Sequence, residues 1–440
     1  NFCMRGCYAS VARFKYGYRR AEHELLRAER TTALLHGAGL APATGLAGAW
    51  ESVLFNQFHD ILPGSSIERA FDEQIDEVGG VRHTARTTAF RALNHLAGRV
   101  RITLPRVGPD LPKAVPFLLW NPHLHPVQTF VELEACLDHR PIWQYQNRAT
   151  ELPVEVRLGG RPVAHQVIAT EHLSFPQLAW RKRVVVPITL PAAGWNVASL
   201  GWVEKPARPL LAATASGRGQ TIRNSFYTVS AQPGPGGIRI RHRGKDLFGR
   251  RGLHPVTVAD NWGSWGAMAE EPAGVRLTQA IGRWRIARVA VTESGPLRAT
   301  LAVQFTTAKA RLELLLRLTA GTEEVAIESR TFTDLEAARI KLVLPGARQV
   351  ECEVPAERVT RQAEGEIPVL RWLRARDDRR GFAVVSDVLA AYDLEAGDLR
   401  VTLARATRYA CDGQLDQMKE WWRPTVDRGE LRARLALLPA

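Results

Sequence analysis

Several features that would place a protein quickly are missing from this chain. No part of its 440 residues approaches the ~18 uninterrupted apolar positions of a membrane-spanning helix, so no membrane anchor or membrane partner is expected. Cysteine is scarce. Cys3, Cys7, Cys136, Cys352 and Cys411 are odd in number, scattered apart from the first pair, and match no zinc-ribbon spacing, which reads as reduced thiols in a cytoplasmic protein. A metal pair on Cys3 and Cys7 lacks the second Cys or His pair that such a site needs close by. There is no glycine-rich phosphate loop, no recognisable serine nucleophile motif, and no fixed-period repeat of the propeller or solenoid kind. The opening "NFCMRGCYAS" has neither a starting methionine nor the charged-then-apolar order of a signal peptide. It reads as a chain cut into rather than begun.

Acidic residues are also in deficit, 45 against 59 Lys and Arg, for a formal net charge of +14. Such a surplus raises the question of nucleic acid. The arginines are spread through the whole chain, however, and no Lys/Arg block interleaves with aromatics as a single-strand or RNA surface requires. An arginine-rich solvated surface is the preferred reading, with no nucleic-acid partner.

What is present begins with helical periodicity. Phe14, Tyr18, Ala21, Leu25, Ala28 and Leu35 share one stripe and predict a first helix from Ala12 to about His36. "HGAGLAPATG" breaks it. A second helix is expected from about Thr44 to Asp60, with Leu46, Trp50, Val53 and Leu54 on its face, and Pro63 disfavours helical geometry at Leu62. Ser65 and Glu68 have the spacing of a capping box, in which serine oxygen and carboxylate each satisfy a free N–H, so a third helix is expected from Ser65. Its face would be Ile67, Phe71, Ile75, Val78, Arg82, Ala85, Ala89, Leu93 and Leu96, weakened in the middle by Gly79 and Gly80. Three helices with short breaks predict an antiparallel bundle. After the linker "LPRVGPDLPKAVP" the texture changes to short β-rich runs such as "FLLWNP", "RKRVVVPITL" and "ARLELLLRLTAGTEEVAIESRTF", separated by turns. So long a β region should form a supersandwich of long sheets or two packed β units.

Two histidine motifs could carry chemistry. His123 and His125 in "NPHLHP" can share one side of a strand, but prolines flank them and no carboxylate is close in sequence, so they read as structural or solvated. His59-Asp60 in "NQFHDILPGSSI" would sit at a helix C-terminus beside a tight turn. There the pair can simply satisfy the helix end, or it can offer a neutral imidazole to a divalent metal with a carboxylate beside it to orient the site or bind a hydroxyl. The local pattern does not choose between these.

The segment "NQFHDILPGSSI" resembles the marked segment of the α-mannosidases of glycoside hydrolase family 38. "RGCYAS" with "FKYGYRRAEHELLRAE" is similar to the passage where that family's catalytic β/α barrel hands over to a three-helix middle domain. "FLLWNP", "NSFYTVSAQPGPGGIRIRHRGKDLF" and "GEIPVLRWLRARDDRRGFAVVSD" resemble strands of its C-terminal β domain. "SDVLAAYDLE" and "DNWGSWG" depart from the commoner forms and point to a divergent bacterial-type branch. The resemblance implies an α+β multidomain architecture: a barrel tail at 1–11, a three-helix middle domain at 12–100, and a large antiparallel β-supersandwich of galactose-mutarotase type at 101–440. It implies a retaining α-mannosidase acting on mannosides or oligosaccharides, in which one carboxylate attacks the anomeric carbon while an acid protonates the leaving oxygen. It also implies one zinc ion. His59 falls on one of its ligands and Asp60 on a residue that contacts sugar hydroxyls, while the other ligands and the nucleophile are expected in a barrel outside this chain, leaving the isolated chain inactive. Homo-oligomer formation is left open. The alternative is a non-catalytic carbohydrate-binding or scaffolding protein that kept the same architecture. The C-terminal "GELRARLALLPA" reads as a strand interrupted before its domain is complete.

Overall fold

The computed structural model describes residues 4–140, 142–145, 151–171, 180–266, 277–361, 365–377, 381–419 and 422–440. Three α-helices come first: α1 (Ala12–Gly37), α2 (Ala47–Phe55) and α3 (Glu68–Arg99). The expected stripe of α1 is its buried face, and Phe14 packs edge-on against Phe71 of α3 with ring centroids 5.7 Å apart. Val53, Val78, Val81 and Ala85 complete this core, which Tyr409 closes from the β part by packing against Phe71. The cap of α1 is not local. Val11 lies at φ 52, and the carboxylate of Asp427, near the other end of the chain, accepts from the N–H groups of Ala12 (2.6 Å) and Arg13 (3.0 Å).

Two expectations about the helices fail. α2 ends at Phe55, short of Asp60, and exposes Leu54. The capping box does not form: α3 starts at Glu68 behind an exposed Ile67 with no side-chain cap bond. The Ser65 hydroxyl instead donates to the Asp60 carboxylate at 3.0 Å, so a turn takes the group that the third helix was expected to use.

The strands form two packed units. In the smaller, a four-stranded sheet (Val115–Asn121, Gly194–Trp202, Val154–Leu158, Arg161–Val163) faces a three-stranded one (Val127–Cys136, Arg181–Leu190, Gln166–Glu171). Alternate residues Val184, Val186 and Ile188 meet Val156, Ala198 and Leu200 between the sheets, as a period of two requires. In the larger unit a nine-stranded antiparallel sheet and two five-stranded sheets enclose the main core, where Leu312, Leu314, Leu316 and Leu318 point inward. The strand Gly429–Pro439 is a full interior member of the nine-stranded sheet, paired with Val325–Thr333 on one side and Gly381–Ser386 on the other.

One strand carries buried charge. Ala338–Pro345 is buried along its entire length. Leu342 and Leu344 enter the apolar core, while Arg339 and Lys341 enter an ionic layer on the opposite face. There Asp260 accepts from Arg339 (2.6 Å) and Arg405 (2.7 Å), and Lys341 donates to Glu366 (2.5 Å) and Thr402 (2.9 Å). Arg405 also donates to the Ser10 hydroxyl at 2.7 Å, which ties the approach to α1 onto the sheet.

Candidate functional site

The turn between α2 and α3 carries the His-Asp pair, and it is held at several points. Asn56 is buried and donates to Ser52 O (2.9 Å) and to Glu77 (3.2 Å). Gln57 donates to the Tyr18 hydroxyl on α1 at 2.8 Å. Ile61 is buried, the Leu62 carbonyl accepts from Lys15 Nζ at 2.5 Å, and the Gly64 backbone lies against Ser10. Gly64 adopts φ +90, and a Cβ there would come within 2.4 Å of the Ser10 carbonyl oxygen. That accounts for the Pro-Gly pair: proline ends helical geometry and only glycine fits where two backbones meet.

His59 projects from this fixed turn. Its side chain is 78% exposed, with Nε2 3.4 Å from Asp60 Oδ2 and its ring 4.2 Å from that of the exposed Phe58. The other Asp60 oxygen is occupied by Ser65, so its carboxylate is oriented while remaining part-exposed. The turn therefore presents a rigidly mounted imidazole and carboxylate to solvent.

His59 lies at a cleft of about 490 Å³, lined by α1, the turn and the larger β unit. Cys7, Lys15 and Tyr18 contribute from the α1 side, and Arg361, Leu370 and Leu389 from the β side. Burial pushes the Lys15 amine down to about 7, offset in part by Cys7 and Asp427 and reinforced by Arg405 and Arg19. Burial also raises the Tyr18 phenol. Glu353, in the same lining, is held below the usual carboxylate range by a hydrogen bond from Arg371.

The structure brings His59 and Asp60 together. It adds no further ligand to them: among the described residues no group of three or more His, Cys, Asp or Glu side chains comes together to hold a metal ion. His123 and His125 stack on one another with centroids 5.2 Å apart, and His125 Nδ1 lies 3.1 Å from Pro126 O. Cys136, Cys352 and Cys411 are free thiols, and Cys3 lies outside the described residues. Sequence reasoning missed Lys15 and Arg361. Within an arginine-rich helix, Lys15 looks like one more solvated cation; its place beside Phe14 and one turn before Tyr18, on the apolar stripe, was the available signal.

A family model described as the α-mannosidase middle domain matches residues 3–96. Residues 3–96 are thus similar to the α-mannosidase middle domain. The matched span contains all three helices and the His59 turn. α-Mannosidase G of Dictyostelium discoideum is 34% identical over 96 residues, which is 21% of this chain and 9% of that protein. Over 99% of its length the chain also shares the fold of an α-mannosidase from Enterococcus faecalis V583, with a TM-score of 0.75 at 14% identity. A protein in glycosyl hydrolase family 38 from Enterococcus faecalis matches equally, with the same TM-score and identity. The chain spans 55% and 57% of the lengths of these two structures, about half in each case. The order of three helices followed by antiparallel sheets is therefore that of these mannosidase structures. None of the described helices is long and apolar enough to cross a membrane.

Proposed function

We propose that this chain forms the middle and C-terminal parts of a retaining, metal-dependent α-mannosidase that hydrolyses α-mannosidic bonds in mannosides or oligosaccharides. The observation that carries the reading is the coincidence of a matched mannosidase middle domain with an exposed His-Asp pair on a turn fixed from several directions. Exposed polar groups gain nothing in stability from such rigidity, whereas a ligand or substrate contact does. In this reading His59 gives its imidazole to a zinc ion, and Asp60 accepts hydrogen bonds from sugar hydroxyls, its Oδ1 already fixed by Ser65. One imidazole and one carboxylate fall short of the at least three protein ligands of a stable zinc site. The chain's own share is one ligand, so no chemical step is assigned here to the metal. Retaining hydrolysis requires two carboxyl groups facing one sugar, and these are assigned to a barrel outside this chain.

The test compares three proteins for hydrolysis of an aryl α-mannoside with added zinc: the 440-residue chain, a polypeptide in which this chain follows its catalytic barrel, and the His59→Ala form of that polypeptide. Turnover is expected only from the second, with the third reduced at least ~100-fold while it keeps its fold. Turnover by the 440-residue chain, or full activity of His59→Ala, would overturn the reading. An inert barrel-bearing protein that still retains mannosides would favour the carbohydrate-binding alternative.

A further inference from the structure

The structure assigns Lys15 as the positioning residue for the His59 turn, through a part-buried hydrogen bond from its Nζ to the Leu62 carbonyl. Three observations carry this. Lys15 is buried on the first turns of α1, and its side chain lies in the floor of the cleft that His59 borders. Its amine reaches across to a main-chain carbonyl of the turn, and that carbonyl belongs to neither a helix nor a sheet ladder. The base of α1 is itself immobilised, by Asp427 on its first two N–H groups and by Arg405 on Ser10. A donor mounted on so fixed a base transmits that rigidity to whatever it grips.

The geometry also explains why a lysine is used. The span from the α1 backbone to Leu62 O requires a long stem ending in a donor, and the stem can pass through apolar surroundings while only the tip is polar. Either protonation state of the amine keeps a proton to donate, so the clamp holds across the neutral pH range. Gln57 on Tyr18 and Gly64 against Ser10 brace the two ends of the same segment, and Lys15 braces its middle. The consequence for catalysis rests on the proposed role of His59; the mechanical consequence does not.

Amide hydrogen exchange on the 440-residue chain tests the clamp. Lys15→Met keeps the stem and removes the donor. Exchange in the segment 56–66 is expected to rise about tenfold, with amides in the middle of α3 changed less than about twofold, because only local opening is affected. Lys15→Gln, which keeps a shorter donor, should fall between Lys15→Met and the unchanged protein. An unchanged segment 56–66, an equal rise throughout the helices, or identical behaviour of the Met and Gln forms would overturn the assignment. In the barrel-bearing polypeptide, Lys15→Met should also weaken the apparent zinc affinity and lower kcat/KM by about tenfold. If His59→Ala is fully active while segment 56–66 still loosens in Lys15→Met, the ligand reading fails and the clamp stands. If the segment is unaffected while His59→Ala is inactive, the reverse holds.

Discussion

Replacing Asp260 by Asn should strongly destabilise the protein. Asp260 is buried between Arg339 and Arg405, whose side chains are fully enclosed, and these two guanidinium groups hold its carboxyl far below the usual carboxylate range against the opposing cost of burial. Asparagine keeps the shape but removes the charge, leaving Arg339 with Glu366 and Arg405 with only hydroxyl and carbonyl acceptors. Breaking a buried pair by removing one partner costs about 3–5 kcal/mol, because the remaining charge stays in the interior uncompensated. With a urea slope of about 3 kcal/mol/M, that corresponds to a loss of roughly 1 M or more in the unfolding midpoint. The assay is urea unfolding at pH 7 followed by tryptophan fluorescence. The sign with pH is fixed too. A depressed carboxylate contributes stability that is present above its unfolded value near 4 and is lost as pH falls through its folded value, so Asp260→Asn should lose less on acidification than the unchanged protein. A midpoint shift below ~0.3 M, about 1 kcal/mol at that slope, would refute the argument. It would mean that the two arginines are hydrated or neutralised by other groups.

Gly64→Ala should cost about 2–5 kcal/mol, from a left-handed backbone that penalises a side chain and from the contact with Ser10 O, and thermal melting would read it. Gly79→Ala, where an added Cβ meets nothing on the exposed side of α3, should instead stabilise by roughly 0.5–1 kcal/mol; a loss there would contradict the helix assignment. Lys15, held near 7 when folded against an ordinary value of 10.5, makes the folded state bind fewer protons across that window, so its contribution to stability rises with pH from about 7 upward. Asp427, pushed up by burial to about 6 from 3.8, binds more protons when folded, so its contribution falls as pH rises from about 4 to 6. Urea midpoints at pH 6.5 and 9 should therefore diverge between the unchanged protein and Lys15→Met, and parallel curves would contradict the burial of a free amine.

How much of this could be read from the sequence depended on how far apart the interacting residues lie. The start of α1 at Ala12 and its end within one residue of His36 follow from a local stripe and a Gly-rich break. The β runs were equally local, and Arg181–Leu190 was recovered residue for residue. The capping box failed because α3 starts at Glu68 behind Ile67, so Ser65 does not stand at the N-cap, and its hydroxyl donates to Asp60 within the turn. For His59 and Asp60, the pattern placed the pair beside a turn but could not say whether that turn was rigid. Rigidity comes from Tyr18, Lys15 and Ser10, residues about forty or more positions earlier in the chain.

The strand Ala338–Pro345 shows the same limit in the core. The first part of "ARIKLVLP", Ala338 to Leu342, alternates polar and apolar residues, the usual pattern of a strand with one face in water. Here the polar face is covered as well, because the approach to α1 packs onto it through Ser10 and Arg405. Alternation reports that two faces differ, not that one is wet. Once that face is enclosed, Arg339 and Lys341 need carboxylates, and Asp260, Glu366 and Asp393 supply them from three separate segments. Asp260 and Asp393 lie in "DNWGSWG" and "SDVLAAYDLE". Gly263 and Gly266 in the first of these make the close backbone approaches to Cys411 and Gly6. Part of the basic content therefore belongs to the interior, where Arg339, Lys341, Arg400 and Arg405 are paired with buried carboxylates and Arg405 also ties Ser10, at the approach to α1, onto the sheet.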